Sequence, residues 1–280
     1  GTDLLLKSLD GIERAMLRAE KAAGFYAPGS FTELTEKPKG VISMGAWFYA
    51  IGHLPLATAT TLNSMSSIWM AVLLIAQGLW HDRTINAELD ACAAARPQQL
   101  ALTAVQVETG DVRRFSYGEM AQMADRIAVG LARLGVGRGD VVACQLPNWW
   151  QFTLTYLACS RLGAVMNPLM HIFRERELSF MLNHGEAKVM IAPKTFRGFD
   201  FEAMVTGLQP SLPHLKHVVI VGGDGGNSFD ALLSAPEWEK QADAQDILTR
   251  GRPGPDDVTH LTYTSAPTGE PQGRVRSAHT

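Results

Sequence analysis

The 280-residue sequence has few cysteines, no excess of basic residues and one long segment without charge. Its three cysteines, Cys92, Cys144 and Cys159, form no CxxC pair, which argues against a disulfide framework or a zinc site and favours a reducing, cytoplasmic compartment. Lys and Arg number 25 against 28 Asp and Glu, a formal net charge of -3. No basic face for nucleic acid is therefore expected.

Residues 41–80 contain no Lys, Arg, Asp or Glu, although 19% of the whole chain is charged. Forty residues are enough for two membrane crossings of about 20 residues each, and Pro55 divides the segment. We predict an apolar helical hairpin at residues 41–76. Two interpretations stay open: a transmembrane hairpin that makes the chain membrane-associated through residues 41–80, or a buried hairpin of a soluble protein.

Residues 1–40 predict an amphipathic helix followed by a linker. Leu5, Leu9, Ile12 and Met16 are spaced as one helical stripe, and the helix is expected to stop at Gly24. A surface helix that packs on another part of the protein is the plainer interpretation. A helix on a lipid surface is the alternative.

From residue 77 onward the pattern alternates between strands and helices. Continuous apolar runs are separated by segments of helical periodicity, which is typical of an α/β fold with a mostly parallel sheet. Ser116 and Glu119 form a capping-box pattern at the start of one helix. Strands are predicted at 100–105, 112–115, 141–146, 164–168, 187–192, 217–221 and 258–264, and helices at 84–95, 117–134, 149–162 and 175–183.

The most chemically informative segment is HLTYTSAPTGEPQG at residues 260–273. It is a predicted strand followed by hydroxyl-bearing and small residues. Hydroxyls and free backbone N–H groups at the carboxyl end of a parallel strand can hold phosphate. An ordinary surface turn of Gly, Pro and Thr would have a similar composition, so both interpretations stay open on composition alone.

This segment resembles the phosphate loop of the AMP-forming acyl-CoA synthetases, which are adenylate-forming ligases with the pattern Tyr-Thr-Ser-Gly-Thr-Thr-Gly-x-Pro-Lys-Gly. The run QLPNWWQFTLTYLACSRLGAVMNPLMHIFRERELSFML at 145–182 is similar to the first subdomain of that family. The resemblance covers residues 77–280. Within the family, the sequence is most similar to the cyclohexanecarboxylate or short- and medium-chain acyl-CoA ligases. It implies the N-terminal subdomain of the adenylate-forming ligase fold.

The resemblance also implies a reaction. A small carboxylic acid, MgATP and CoA would give acyl-CoA, AMP and pyrophosphate through an acyl-adenylate. The positions implied to bind the nucleotide are Thr264, Ser265, Thr268, Gly269, Glu270, Pro271, Gln272 and Gly273.

Three residues depart from the family's loop. Ala266 replaces a glycine, Pro267 replaces a hydroxyl residue and lacks an N–H donor, and Gln272 replaces the lysine. The family's adenine, ribose, hinge and C-terminal lysine motifs would lie beyond Thr280. We therefore expect an inactive fragment with a degenerate loop, and assign no catalytic or metal-binding residue.

A second resemblance concerns the uncharged block. GAWFYAIGHLPLATATTLNSMSSIWMAVLL, within residues 41–76, resembles a helix pair of EamA-type drug/metabolite transporters. Two helices are too few for transport, so the alternatives to a ligase fragment are a membrane-associated module or a chimeric chain without native catalytic function. The histidines His171, His184, His214 and His217 lack metal-ligand spacing and are expected at the surface or at helix ends.

Overall fold

The structure is a computed structural model that describes residues 84–264 and 272–277. The predicted helix and linker at 1–40 and the predicted hairpin at 41–76 lie outside these residues. Within 84–264 and 272–277, no helix is both long and apolar enough to cross a membrane. The hairpin and its membrane contact therefore stay predictions.

Helices and strands alternate along the described chain. The helices are α1 (Ile85–Ala95), α2 (Tyr117–Arg133), α3 (Trp150–Leu162), α4 (Glu175–His184), α5 (Phe201–Leu208) and α6 (Ala244–Gly251). The strands are β1 (Leu100–Gln106), β2 (Asp111–Ser116), β3 (Val141–Cys144), β4 (Val165–Pro168), β5 (Ala187–Pro193), β6 (Thr195–Phe196), β7 (Phe199–Asp200), β8 (His217–Val221), β9 (Val258–Thr264) and β10 (Gln272–Ser277).

Local side-chain contacts set several helix starts. Thr84 Oγ1 accepts a hydrogen bond from the backbone N–H of Ala87 at the start of α1. The predicted capping box of α2 is confirmed, since Ser116 Oγ accepts from Glu119 N and the Glu119 carboxylate accepts from Ser116 N at 2.8 Å. These bonds satisfy N–H groups that have no partner inside the helix.

The main sheet has six strands in the order β10-β9-β4-β3-β5-β8. Strands β9, β4, β3, β5 and β8 are parallel to one another, whereas the edge strand β10 runs antiparallel to β9. This confirms the predicted α/β fold with a mostly parallel sheet. The central strands are almost wholly buried, as their continuous apolar sequences require.

Some elements differ from the predictions. The strand predicted at 141–146 ends at Cys144, and β10 forms where no strand was predicted. The short β6–β7 hairpin and helices α5 and α6 were not predicted. A separate β1–β2 hairpin packs on the start of α3 through Phe115, whose ring centroid lies 5.6 Å from that of Trp150.

Candidate functional site

The carboxyl ends of the parallel strands form one edge of the sheet, and the predicted phosphate loop begins there. Thr264 is the last residue of β9 and pairs with Gln272, the first residue of β10; Tyr263 pairs with Gly273. The structure therefore brings the two ends of the loop side by side. The other implied positions, Ser265, Thr268, Gly269, Glu270 and Pro271, with the departures Ala266 and Pro267, lie outside the described residues.

The base of this loop is attached to the end of α4. The hydroxyl of Tyr263 donates to the carbonyl oxygen of Met181 at 3.1 Å and lies 3.0 Å from His184 Nδ1. Burial raises the pKa of Tyr263 above its ordinary value, so the hydroxyl stays protonated and able to donate at neutral pH. Tyr263, just before the loop, is thus fixed by contacts with α4, which lies outside the β9–β10 hairpin.

Gly185 makes this close packing feasible, and Gly273 lies against the same residues. A β-carbon at Gly185 would lie 3.1 Å from the Tyr263 hydroxyl and 3.0 Å from Leu261 Cδ2. A β-carbon at Gly273 would lie 3.4 Å from both His184 Cε1 and Tyr263 Cε1. Both strands of the hairpin therefore approach the α4–β5 corner closely.

The segment after β4 lies at the same edge, because β4 is the neighbour of β9. Gln145, directly after β3, is fully buried, and its Nε2 donates to the carbonyl oxygens of Met170 at 2.9 Å and Phe173 at 3.1 Å. The Arg174 guanidinium donates to His171 O at 2.8 Å and Phe173 O at 2.9 Å. The backbone of residues 169–174 is thus fixed by two side chains.

Apolar side chains project from this fixed segment. Met170 is 54% exposed and Ile172 is 63% exposed, although each neighbours buried or hydrogen-bonded residues. An exposed apolar pair that follows the carboxyl end of β4 can contact an organic ligand. Lys194, directly after β5, carries a positive charge at this edge, but it already forms an ion pair with Asp224.

Two buried amides at this edge have atoms without hydrogen-bond partners. The atoms without partners are Gln145 Oε1 and both side-chain polar atoms of Asn167, which lies on β4. Unpaired buried amide atoms are costly, so a water molecule or a ligand group is the expected partner. Among the described residues, no cluster of His, Cys, Asp or Glu is placed to hold a metal ion.

The cysteines do not contribute reactive groups to this edge. Cys144 at the end of β3 is buried, which raises the pKa of its thiol to about 12. Burial raises the pKa of Cys159 as well. Neither thiol is available as a thiolate at neutral pH.

The sequence interpretation did not include His184 in the site. Its position just before Gly185 indicated only a helix end, and contact with Tyr263 depends on the order β9-β4 in the sheet, which alternation of helices and strands does not determine. Gln145 was likewise missed, because it lay inside a segment predicted to be strand.

The sequence matches the family described as "AMP-binding enzyme" over residues 89–279. It is 31% identical over 206 residues to a 2-hydroxy-7-methoxy-5-methyl-1-naphthoate–CoA ligase of Streptomyces carzinostaticus, covering 72% of this chain and 36% of that protein. It is 31% identical over 197 residues to a medium-chain fatty-acid–CoA ligase of Escherichia coli, covering 70% and 33%. The chain thus spans about a third of the length of these relatives.

Solved structures show the same fold. The Mycobacterium smegmatis MbtA apo structure has a TM-score of 0.54 at 26% identity, covering 75% of this chain and 36% of that one. The N-terminal domain of FACL13 from Mycobacterium tuberculosis has a TM-score of 0.52 at 25% identity, covering 70% and 44%.

Proposed function

We propose, because the chain belongs to the AMP-binding enzyme family, that it forms part of a ligase that activates a small carboxylic acid with MgATP and transfers the acyl group to CoA. A carboxylate oxygen would attack the α-phosphorus of ATP, with pyrophosphate leaving. The CoA thiolate would then attack the acyl carbon and release AMP. The family match carries this proposal, since residues 89–279 include the whole predicted loop.

The paired ends of the loop support a phosphate-binding role. Because Thr264 and Gln272 are strand partners, the residues between them must close back within a short distance. Such a loop can present hydroxyls and backbone N–H groups to the β- and γ-phosphates. Mg²⁺ would enter bound to the nucleotide phosphates, as part of the MgATP substrate.

The nature of the acid stays a proposal. The relatives named above act on a naphthoate and on medium-chain fatty acids, according to their names, so the family accommodates aromatic and aliphatic acids. The resemblance to cyclohexanecarboxylate or short- and medium-chain ligases makes acetate, hexanoate and cyclohexanecarboxylate the first acids to test.

We further propose that these 280 residues alone do not catalyse the reaction. In the family, adenine, ribose and the reacting carboxylate are contacted by motifs that this sequence does not contain. ATP–pyrophosphate exchange with the three acids should therefore be undetectable. Exchange above background would overturn this part of the proposal.

A chimera tests the loop itself. The chain is joined to the remaining part of a related ligase, and its native loop is compared with the triple variant Ala266→Gly, Pro267→Thr, Gln272→Lys. Removal of one preorganised donor typically costs about 100- to 1000-fold in rate, so the repaired chimera should be faster by at least about 100-fold. Equal rates would show that the native loop is competent, and inactivity of both would count against the assigned reaction.

A membrane-associated module is a second candidate, favoured by one observation. Residues 41–80 carry no charged side chain. This role is compatible with a ligase part, since the family match begins at residue 89.

A further inference from the structure

The carboxyl half of β9 is contacted from the side of α4 as well as by its strand partners. The described pairing of β9 with β4 is at His260 and Met166, three residues before Tyr263. Beyond that point β10 pairs with β9 up to Thr264. A hairpin that projects past its parallel neighbour needs another contact to fix its direction, and Tyr263 provides one through Met181 and His184.

The direction of the hydrogen bonds follows from their donors. A tyrosine hydroxyl has one hydrogen, and the carbonyl of Met181 can only accept it. Nδ1 of His184, at 3.0 Å, must then donate to the hydroxyl oxygen. The Nδ1–H tautomer of His184 can do this.

The His184 ring is itself held in place. Phe180, one turn earlier in α4, stacks on it with ring centroids 5.5 Å apart and planes 21° apart. Phe180 also meets Tyr263 edge to face at 6.5 Å. The ring that contacts the loop base is therefore constrained on one face by its own helix.

Both ends of the loop reach the same ring. Tyr263 precedes the loop and binds His184 through its hydroxyl, whereas Gly273 follows the loop, and a β-carbon there would lie at ordinary contact distance, 3.4 Å, from His184 Cε1. The His184 ring therefore lies next to residues on both sides of the loop.

We propose that His184 and Tyr263 are positioning residues that fix the base of the phosphate loop, and that this contact increases the affinity for MgATP. The link to MgATP rests on the proposed function. Neither side chain needs to touch the nucleotide. They act by limiting the directions in which the β9–β10 hairpin can point, so that less ordering is required when phosphate binds.

The experiment uses the full chain and measures amide hydrogen exchange in peptides covering 258–264 and 272–277. Tyr263→Phe and His184→Leu each remove the hydrogen bond between residues 263 and 184. Each change should speed amide exchange in β9 and β10 by about three- to tenfold. His184→Gln keeps a donor and should restore much of the protection. The matched control is Tyr156→Phe, which removes the hydroxyl of another half-buried tyrosine, whose ring lies 4.6 Å from that of His260.

The second measurement is MgATP binding by calorimetry with the same variants. Tyr263→Phe and His184→Leu should weaken binding by a similar three- to tenfold, while Tyr156→Phe should not. Unchanged amide exchange in Tyr263→Phe would overturn the inference, whether or not the chain binds MgATP. Faster exchange in Tyr263→Phe with unchanged affinity for MgATP would overturn it as well. Faster exchange in a chain that does not bind MgATP would support the anchoring contact and overturn the proposed effect on MgATP affinity, while the chimera described above would still test the ligase function.

Discussion

Gly163 and Gly251 lie in backbone contact where the ends of α3 and α6 meet. A β-carbon at Gly163 would lie 2.7 Å from the carbonyl oxygen of Gly251, and a β-carbon at Gly251 would lie 2.7 Å from Leu162 Cα. Gly163 also has a φ of +63°, which favours glycine. This contact sets how closely α6 approaches the helix that follows β3.

Gly251→Ala should therefore destabilise the protein. Because backbone atoms must move apart, we expect a loss of about 1–3 kcal/mol in the free energy of unfolding, measured by urea denaturation. The control is Gly207→Ala in α5, where a β-carbon would have no heavy atom within 4 Å. That variant should be neutral or up to about 1 kcal/mol more stable. Equal effects of the two changes would contradict the close contact.

Arg161 should be more important for stability than a surface arginine. It is 3% exposed and lies on α3, with Nη2 2.7 Å from Asp90 on α1 and Nε 2.7 Å from Asp125 on α2. Arg161→Met leaves two partly buried carboxylates without this partner, so unfolding free energy should fall by about 3–5 kcal/mol. Arg250→Met, which breaks an exposed pair with Asp246, should change it by less than about 1 kcal/mol.

The two carboxyl groups around Arg161 should respond oppositely to pH. Burial tends to raise the pKa of Asp90, but the hydrogen bond and charge of Arg161, together with Arg252, hold it below its ordinary value. For Asp125, burial outweighs the Arg161 charge and raises the pKa. Asp90 therefore stabilises the fold above its unfolded pKa, and this contribution is lost as the pH falls through the folded value.

For Asp125 the sign is reversed: its contribution is fully present below its unfolded pKa and is lost as the pH rises through the raised folded value. Denaturation of Asp90→Asn and Asp125→Asn from about pH 3 to about pH 7 measures this. Relative to wild type, the penalty should grow with pH for Asp90→Asn and shrink for Asp125→Asn. Parallel pH profiles would rule out the assigned shifts.

The uncharged block predicts membrane attachment of the full chain. Full-length protein should pellet with membranes after alkaline carbonate extraction, whereas residues 77–280 should stay in the supernatant. Ile68→Arg places a charge in the second apolar half, at a cost of about 2.5–3.5 kcal/mol at a helix centre in lipid, and should ease extraction. If full-length and shortened chains fractionate alike, the block is not a membrane hairpin.

The strongest sequence predictions came from patterns that the chain satisfies locally. Ser116 and Glu119 form their capping box through contacts within four residues, and β8 follows one continuous apolar run, so neither depends on distant parts of the fold. Helix α6 was missed because few apolar residues mark its buried face. The β6–β7 turn at Arg197 and Gly198, both with positive φ, is too short for periodicity to show.

The site was harder to predict than the fold. The loop ends could be recognised from their residue types, but the partners of Tyr263 could not. Met181 and His184 become neighbours of Tyr263 only because β9 is placed beside β4, and strand order results from packing of the whole sheet. Strand β10 was missed because it carries only one apolar residue, Val275, between Arg274 and Arg276.

Because two of the three cysteines are buried, the chain has one cysteine thiol that a labelling reagent can reach. Cys144 and Cys159 are enclosed as protonated thiols, whereas Cys92 on α1 is partly accessible and accepts a contact from Arg96 at 3.6 Å. A maleimide dye should therefore attach to the native protein at α1 alone, without prior cysteine replacement. Appearance of a second and third labelled site would then report loss of the core, so the rate of thiol labelling measures unfolding of the part of the chain that contains Cys144 and Cys159.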